Sequence, residues 1–356
     1  MPVDMLLKFS YTGYNTISGK AAGVHGAGWP ECGTGKRKRR TDMKKYGFGV
    51  DIGGTTIKMS LFEMTGHMLD KWEIPTNTQN NGASILDDVA AVIEGRLVQE
   101  GIAKEDVEGI GIGVPGPVVD ASVVTVCVNL GWNRVEVVKE LSEKTGLKVK
   151  AGNDANVAAL GEMWQGGGKG YQNVIMVTLG TGVGGGVIVN GQIIHGTNGA
   201  GGEIGHIFVD ETEEETCGCG KRGCLEQYAS ATGIVRLAKR ALAADDRESS
   251  LRGEETITAK AVFDAAKAGD AIALEVVEKM GKILGTALAN AAGILDPEVF
   301  VIGGGVSKAG SIVIEAIRKY YIERAFHSCR NADFALAQLG NDAGVYGCVY
   351  MLLNGD

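Results

Sequence analysis

From Tyr46 onward the apolar positions follow two alternating rhythms: short continuous runs, and positions spaced three to four apart. Continuous runs mark buried strands and the wider spacing marks amphipathic helices, so their alternation predicts an α/β fold. Residues 47–52 read as a strand, continued as a meander by 56–62 and 67–73 with a turn at Gly66. Segment 84–99 carries Ile85, Val89, Val92, Ile93 and Leu97 at helical spacing. Val107–Val114 is a buried strand stopped by Pro115-Gly116-Pro117; 135–145 reads as a helix and 147–151 as a further strand. Asn153-Asp154 then caps a helix over 155–164. The second half opens with a strand at Val174–Leu179 and holds another buried one at 299–302.

That opening is an internal repeat. Val50-Asp51-Ile52-Gly53-Gly54-Thr55 resembles Val177-Thr178-Leu179-Gly180-Thr181-Gly182, and each copy is a strand, a Gly/Thr turn and a second strand. A repeat at this scale predicts two related lobes with a cleft between them, because solenoid periods are ~20–50 residues. The expected organisation is a small α/β lobe over 43–152 and a larger one over 153–340. A C-terminal helix over 341–356 should return to the small lobe.

Residues 1–42 break the rhythm. They hold seven Lys/Arg against three Asp/Glu, including the run Lys36-Arg37-Lys38-Arg39-Arg40, and show neither period. We expect a disordered extension outside the core, since Met43-Lys44-Lys45 reads as an ordinary beginning; a nucleic-acid or localisation tag is the other reading. The whole chain carries −8, which argues against nucleic acid or an anionic membrane surface as partner. No apolar run reaches the ~18–20 residues of a membrane span, and no secretion signal is present, so a cytoplasmic location is expected. Glycine is 55 of 356 residues, about twice the usual ~7%. Its clusters lie beside apolar runs, as close backbone approach to a ligand requires.

Three of those clusters suit a nucleotide, two of them its phosphates. At Asp51-Ile52-Gly53-Gly54-Thr55 the glycines free backbone N–H groups for phosphate oxygens, and Thr55 adds a donor. Asp51 is placed to hold a hydrated Mg²⁺ on a nucleotide, with Lys58 on the next strand within reach of the same phosphates. The second turn, with Thr181 and Gly182, would complete a clamp, and Gly303-Gly304-Gly305 after the buried strand offers backbone to an adenosine. A plain β-hairpin is the bland alternative at each turn. Asn153-Asp154 is either a helix cap or a carboxylate able to take a hydroxyl proton during phosphoryl transfer.

His206, Cys217, Cys219 and Cys224 fall within nineteen residues, interleaved with Gly218, Gly220 and Gly223. A Cys₃His set saturates Zn²⁺ and makes the site structural. Cys32, Cys127, Cys329 and Cys348 are scattered. The knuckle would also bring Glu203 and Glu226 together, and converging carboxylates suit a polyhydroxylated ligand.

Together these residues resemble the ROK family of sugar kinases and repressors. The resemblance rests on 177–206, with Gly199-Ala200-Gly201-Gly202-Glu203-Ile204-Gly205-His206, and on Cys217-Gly218-Cys219-Gly220-Lys221-Arg222-Gly223-Cys224-Leu225-Glu226. Asn129-Leu130-Gly131-Trp132 and Leu339-Gly340-Asn341-Asp342-Ala343-Gly344 resemble its glucokinase branch. The resemblance implies an actin-like ATPase (ribonuclease H-like) fold and ATP-dependent phosphorylation of glucose at the 6-hydroxyl. It implies Asp154 as general base, with Asn129, Asn153, Glu203, His206 and Glu226 at the sugar. ATP with Mg²⁺ would lie on Gly53, Gly54, Thr55, Thr181, Gly182, Gly303, Gly304 and Gly305. His206 would serve both zinc and sugar, and a homodimer or higher homo-oligomer is expected. N-acetylmannosamine, fructose or allose as substrate, or a repressor, are the alternatives. The nucleotide turns are expected to be independent of the zinc knuckle.

Overall fold

A computed structural model describes residues 44–353; the extension, its basic run and Cys32 lie outside the described residues. Among the described residues, thirteen strands form three sheets. In chain order the strands are β1 (Tyr46–Ile52), β2 (Thr56–Glu63), β3 (Met68–Pro75), β4 (Val107–Val114), β5 (Val118–Val119), β6 (Val123–Cys127), β7 (Trp132–Val135) and β8 (Val149–Asn153). They continue as β9 (Val174–Leu179), β10 (Val183–Val189), β11 (Gln192–Ile193), β12 (Val299–Gly303) and β13 (Asp333–Leu336). One five-stranded sheet runs β3-β2-β1-β4-β8, the other β11-β10-β9-β12-β13, and β5-β6-β7 is a small third. In both large sheets the first three strands pair antiparallel and the last three parallel. The repeat seen in six residues is therefore a repeat of whole sheets.

The helices are a four-residue turn α1 (Gln79–Gly82), α2 (Ile85–Glu100), α3 (Val137–Thr145), α4 (Asp154–Gln165), α5 (Glu226–Ala229) and α6 (Ala231–Ala244). After these come α7 (Ala259–Lys267), α8 (Ala271–Leu295), α9 (Ser311–Arg324) and α10 (Ala343–Leu353). α1 is not a right-handed helix, because Asn80 and Asn81 sit at φ 51° and 58°. No helix among the described residues is long and apolar enough to cross a membrane.

Two boundaries differ from expectation. Residues 132–135 pair with β6, so the helix expected from 135 begins at Val137. The strand expected at 147–151 is Val149–Asn153, because its parallel ladder to β4 runs on to the Val114–Asn153 pair. That extension carries Asn153 to the strand's C-terminal edge.

The core follows the continuous apolar runs. Val50, Ile110, Ile112 and Val114 are buried in the first sheet, Val174, Val177, Leu179 and Val301 in the second. Each such side chain is worth ~1.5–3 kcal/mol of burial. Helices α4 and α10 cross between the sheets. α4 lays Ala155 and Ala159 on Gly184 and Gly186 of β10, whereas α10 lies on β1 and β4. Contact is backbone on backbone: a Cβ at Gly347 would fall 1.5 Å from the Val157 carbonyl oxygen, and one at Gly111 1.8 Å from that of Cys348. Only glycine permits that approach.

Candidate active site

The carboxyl-terminal ends of β1, β4 and β8 meet at one edge, where Asp51 pairs with Gly113 and Gly113 with Gly152. There the first turn closes by Gly53 N–H donating to Thr56 O at 3.0 Å. Thr76, which the sequence reading did not single out, staples it: its hydroxyl donates to Gly53 O at 2.7 Å and its N–H to Thr55 O at 3.0 Å. Gly54 is exposed, and a Cβ on it would lie 3.8 Å from Cβ of Asn129, so Asn129 borders this turn. Lys58 faces Asp51 across the β1–β2 ladder while its Nζ donates to Asn341 O at 3.3 Å.

Two carboxylates share this edge. Burial pushes Asp51 up to about 6, against the pull of Lys58 and with the repulsion of Asp154 added. Asp154 opens α4 and is exposed to solvent, yet the surrounding protein desolvates it enough to raise its carboxyl. Hydrogen bonds from Ala155 and Asn153 oppose that rise. Asn153 is the N-cap of α4: its Oδ1 accepts from the N–H groups of Ala155 and Asn156 at 3.0 and 3.3 Å. Its Nδ2 donates to Gly116 O at 3.0 Å and also faces the Asp154 carboxylate. Asn153 therefore supplies the helix cap, and Asp154 stands beside it as the first residue of α4.

The second turn closes by Gly180 N–H donating to Gly182 O at 3.0 Å. It is not independent of the knuckle, contrary to expectation. Ala231 N–H donates to Gly180 O at 2.8 Å, Thr232 Oγ1 to Thr181 O at 2.7 Å, and Val183 N–H to Oε2 of Glu226 at 3.2 Å. The cause is chain order, because α5 and α6 follow the knuckle directly and return onto this turn. Glu226 also takes the Cys217 thiol on Oε1 at 3.2 Å, so both its oxygens face protein donors.

At the third turn Gly304 adopts φ 81°, and a Cβ there would strike the Leu179 carbonyl at 2.5 Å. Gly305 lines a cavity of about 390 Å³ with Ala231, Ala259, Phe263 and Val306, fringed by Lys260 and Lys308. Phe263 and its lysine neighbours were missed in the sequence because α7 carries no motif.

His206, Cys217, Cys219 and Cys224 place their donor atoms within 4.8 Å of one another. Cys219 Sγ lies 3.6 Å from Cys224 Sγ, and Cys217 Sγ 3.8 Å from His206 Nδ1. A tetrahedral Zn²⁺ with ~2.3 Å bonds sets sulfurs about 3.8 Å apart, so the donor set fits that ion. Burial first, then Glu226 and the neighbouring thiols, pushes Cys217 up to about 12, which a bound cation would reverse. With Nδ1 toward the cluster, Nε2 of His206 is the nitrogen available to a second partner. Glu203 is exposed, and its carbonyl accepts from His206 N–H at 3.2 Å, which places both on one turn. The loop before the first cysteine is braced on α6 by Glu213, whose buried carboxylate takes Arg240 and Arg236 at 2.8 and 3.0 Å. The other described cysteines, Cys127, Cys329 and Cys348, are buried away from the cluster.

A family model described as "ROK family" matches residues 47–354. A glucokinase of Halalkalibacterium halodurans is 48% identical over 305 residues, covering 84% of this chain and 92% of its own. The crystal structure of a ROK family glucokinase from Streptomyces griseus, in complex with glucose and AMPPNP, superposes with TM-score 0.66 at 35% identity, covering 86% of this chain and 98% of that one. A ROK hexokinase from Thermus thermophilus gives TM-score 0.70 at 30% identity, with 86% and 97% covered. The paired sheets, the two glycine turns and the Cys₃His cluster thus occur on a chain that belongs to the ROK family and has its actin-like ATPase fold.

Proposed function

We propose that this protein is a glucokinase, moving the γ-phosphoryl group of ATP to the 6-hydroxyl of glucose. The observation that carries the reading is Asp154, a solvent-reached carboxylate with a raised pKa, at the edge that also holds the first glycine turn. The 48% identical glucokinase supports the same conclusion.

In this reading Asp154 accepts the hydroxyl proton as the oxygen attacks phosphorus, while the Asn153 cap fixes its direction. Asn129, Asn153, Glu203, His206 and Glu226 hold the remaining hydroxyls. Glu226 does so by exchanging a protein donor for a sugar one. Backbone N–H groups at Gly54, Thr181 and Gly182, with Thr55 and Lys58, take the phosphates, while Gly53 shapes the turn, its own N–H being held by Thr56 O. The apolar cavity beside Gly303, Gly304 and Gly305 takes the adenosine. Mg²⁺ beside Asp51 would neutralise phosphate charge, and Zn²⁺ on the Cys₃His set would hold the turn bearing Glu203 and His206.

Residues 43–152 and 153–340 act as the two lobes, with 341–356 returning to the first, and closure on sugar excludes water. The enzyme is cytoplasmic and works as a homodimer or higher homo-oligomer. Exposed Phe208, beside a hollow of about 540 Å³ with Ile283 and Arg324, supports self-association.

The test is a coupled assay of ATP with a panel of hexoses and N-acetylhexosamines. Glucose should give the highest kcat/KM. A higher value for N-acetylmannosamine, fructose or allose would overturn the assignment.

A further inference from the structure

The knuckle and the second phosphate turn are joined by two hydroxyls. Ser230 is fully buried at the head of α6, where its Oγ accepts from Gly233 N–H at 3.0 Å and donates to the carbonyl of Glu226 at 2.6 Å. The same oxygen lies 2.9 Å from Oγ1 of Thr232, which in turn donates to the carbonyl of Thr181 at 2.7 Å. A chain of close polar contacts thus runs from the backbone of Glu226 through the two hydroxyls to the turn at Thr181.

Proton counting shows what the path can do. Each hydroxyl carries one proton. Three positions compete for the two: the Glu226 carbonyl, the Thr181 carbonyl and the contact between the hydroxyls. All three cannot be served at once. If Ser230 turns its proton to Thr232, the Glu226 carbonyl loses a donor while Thr181 keeps one. If Thr232 turns its proton to Ser230, Thr181 loses its donor. Whenever a proton occupies the contact between the hydroxyls, only one of the two carbonyls keeps its hydroxyl donor.

We propose that Ser230 and Thr232 are positioning residues coupling sugar occupancy at Glu226 to nucleotide binding at Thr181. This rests on the glucokinase reading and adds to it a route by which one substrate prepares the site for the other. Neither residue touches the reacting atoms. They act through the Thr181 turn and the first residue of α5.

Thr232→Val tests the relay. Thr232 is exposed, and valine keeps the β-branched shape while removing the donor. Calorimetric titrations of a non-hydrolysable ATP analogue are run with and without saturating glucose, on holoenzyme whose zinc content is checked by elemental analysis. In the wild type, glucose should tighten the analogue, and the analogue should tighten glucose by the same factor. In Thr232→Val the analogue should bind ~3–10-fold more weakly and the mutual tightening should vanish. Glucose affinity without nucleotide should move less than ~2-fold and zinc content not at all, because neither depends on the lost donor. Thr232→Ser, which restores the hydroxyl, should restore coupling. A merely structural residue would alter the unfolding midpoint and spare the coupling factor. Wild-type protein that binds both ligands without coupling, or Thr232→Val with unchanged coupling, would overturn the relay alone. Wild-type protein that binds the analogue and not glucose would overturn the glucose assignment, and the sugar arm of the relay with it.

Discussion

The sheets β3-β2-β1-β4-β8 and β11-β10-β9-β12-β13 share strand order and sense, but they place charge differently at matching points. In the first, Asp51 neighbours Gly113; in the second, Thr178 neighbours Gly303 at the corresponding register. The likeness extends past the turns. Each fifth strand leads to Asn-Asp-Ala at the head of a crossing helix: Asn153-Asp154-Ala155 for α4 and Asn341-Asp342-Ala343 for α10. Asp154 lies desolvated in the cleft, while Asp342 is paired with Lys71 of β3 at 3.0 Å. The duplicated scaffold thus supplies two equivalent acids. Of the two, Asp342 is held by a lysine, and Asp154 is the one that stands desolvated at the first glycine turn.

If that asymmetry is the basis of catalysis, Asp154→Asn should lower turnover by ~10²–10⁴ while glucose still binds. Wild-type turnover should fall on the acid side with an apparent pKa above the ordinary carboxylate range, measured in a pH–rate profile. Near-normal turnover in a folded Asp154→Asn variant would leave this residue only a helix terminus.

Cys219→Ser comes next, since serine oxygen binds zinc more weakly than thiolate. Metal content by elemental analysis should drop, and glucose affinity should fall ~10–100-fold. The bonds from α6 to Gly180 and Thr181, and from Val183 N–H to Glu226 of α5, predict that ATP-analogue affinity weakens as well. Intact nucleotide binding in the zinc-free variant would separate the two regions again.

A smaller effect is expected of Asp51→Asn. In the native protein Asp51 keeps its proton to about pH 6, whereas unfolded it loses it near 4. Its stabilising contribution is therefore present below the unfolded value and lost as pH rises through 6. Denaturant unfolding should find the variant about 1–3 kcal/mol more stable than wild type at pH 8, with the two converging at pH 3.5. The smallest effect belongs to Asp342→Asn. Its pair with Lys71 is largely exposed, so turnover should stay within ~2-fold and the unfolding midpoint should not move measurably.

How far the sequence reveals this depends on how local each signal is. β4 and β9 coincide with their apolar runs to the residue, because strands buried on both faces need no partner information to be recognised. The Cys₃His cluster is legible because it too is local, its four residues falling within nineteen positions. β7 is not, since Trp132–Val135 becomes a strand only by pairing with β6. The cavity beside Gly305 joins Phe263 to Val306 across a long separation in the chain, and no local pattern announces it. The second Asn-Asp-Ala also goes unnoticed until topology shows that both copies follow a fifth strand. Thr232 has no motif at all; its role depends on the return of α6 onto Gly180 and Thr181.

The crossing of α4 and α10 bears on the order in which the protein can be made. The sheet formed by residues 46–153 emerges from the ribosome first, yet α10, at 343–353, covers β1 and β4 through Val345, Val349 and Leu352. Until residues 343–353 have been translated, that apolar surface waits without its cover. The first half therefore completes its packing only after α10 emerges, although domains generally fold as they appear. The nascent chain is exposed to aggregation over that interval, and a chaperone that shields the early sheet would act there. Premature release before residue 343 would leave the N-terminal half uncovered, however complete its own strands.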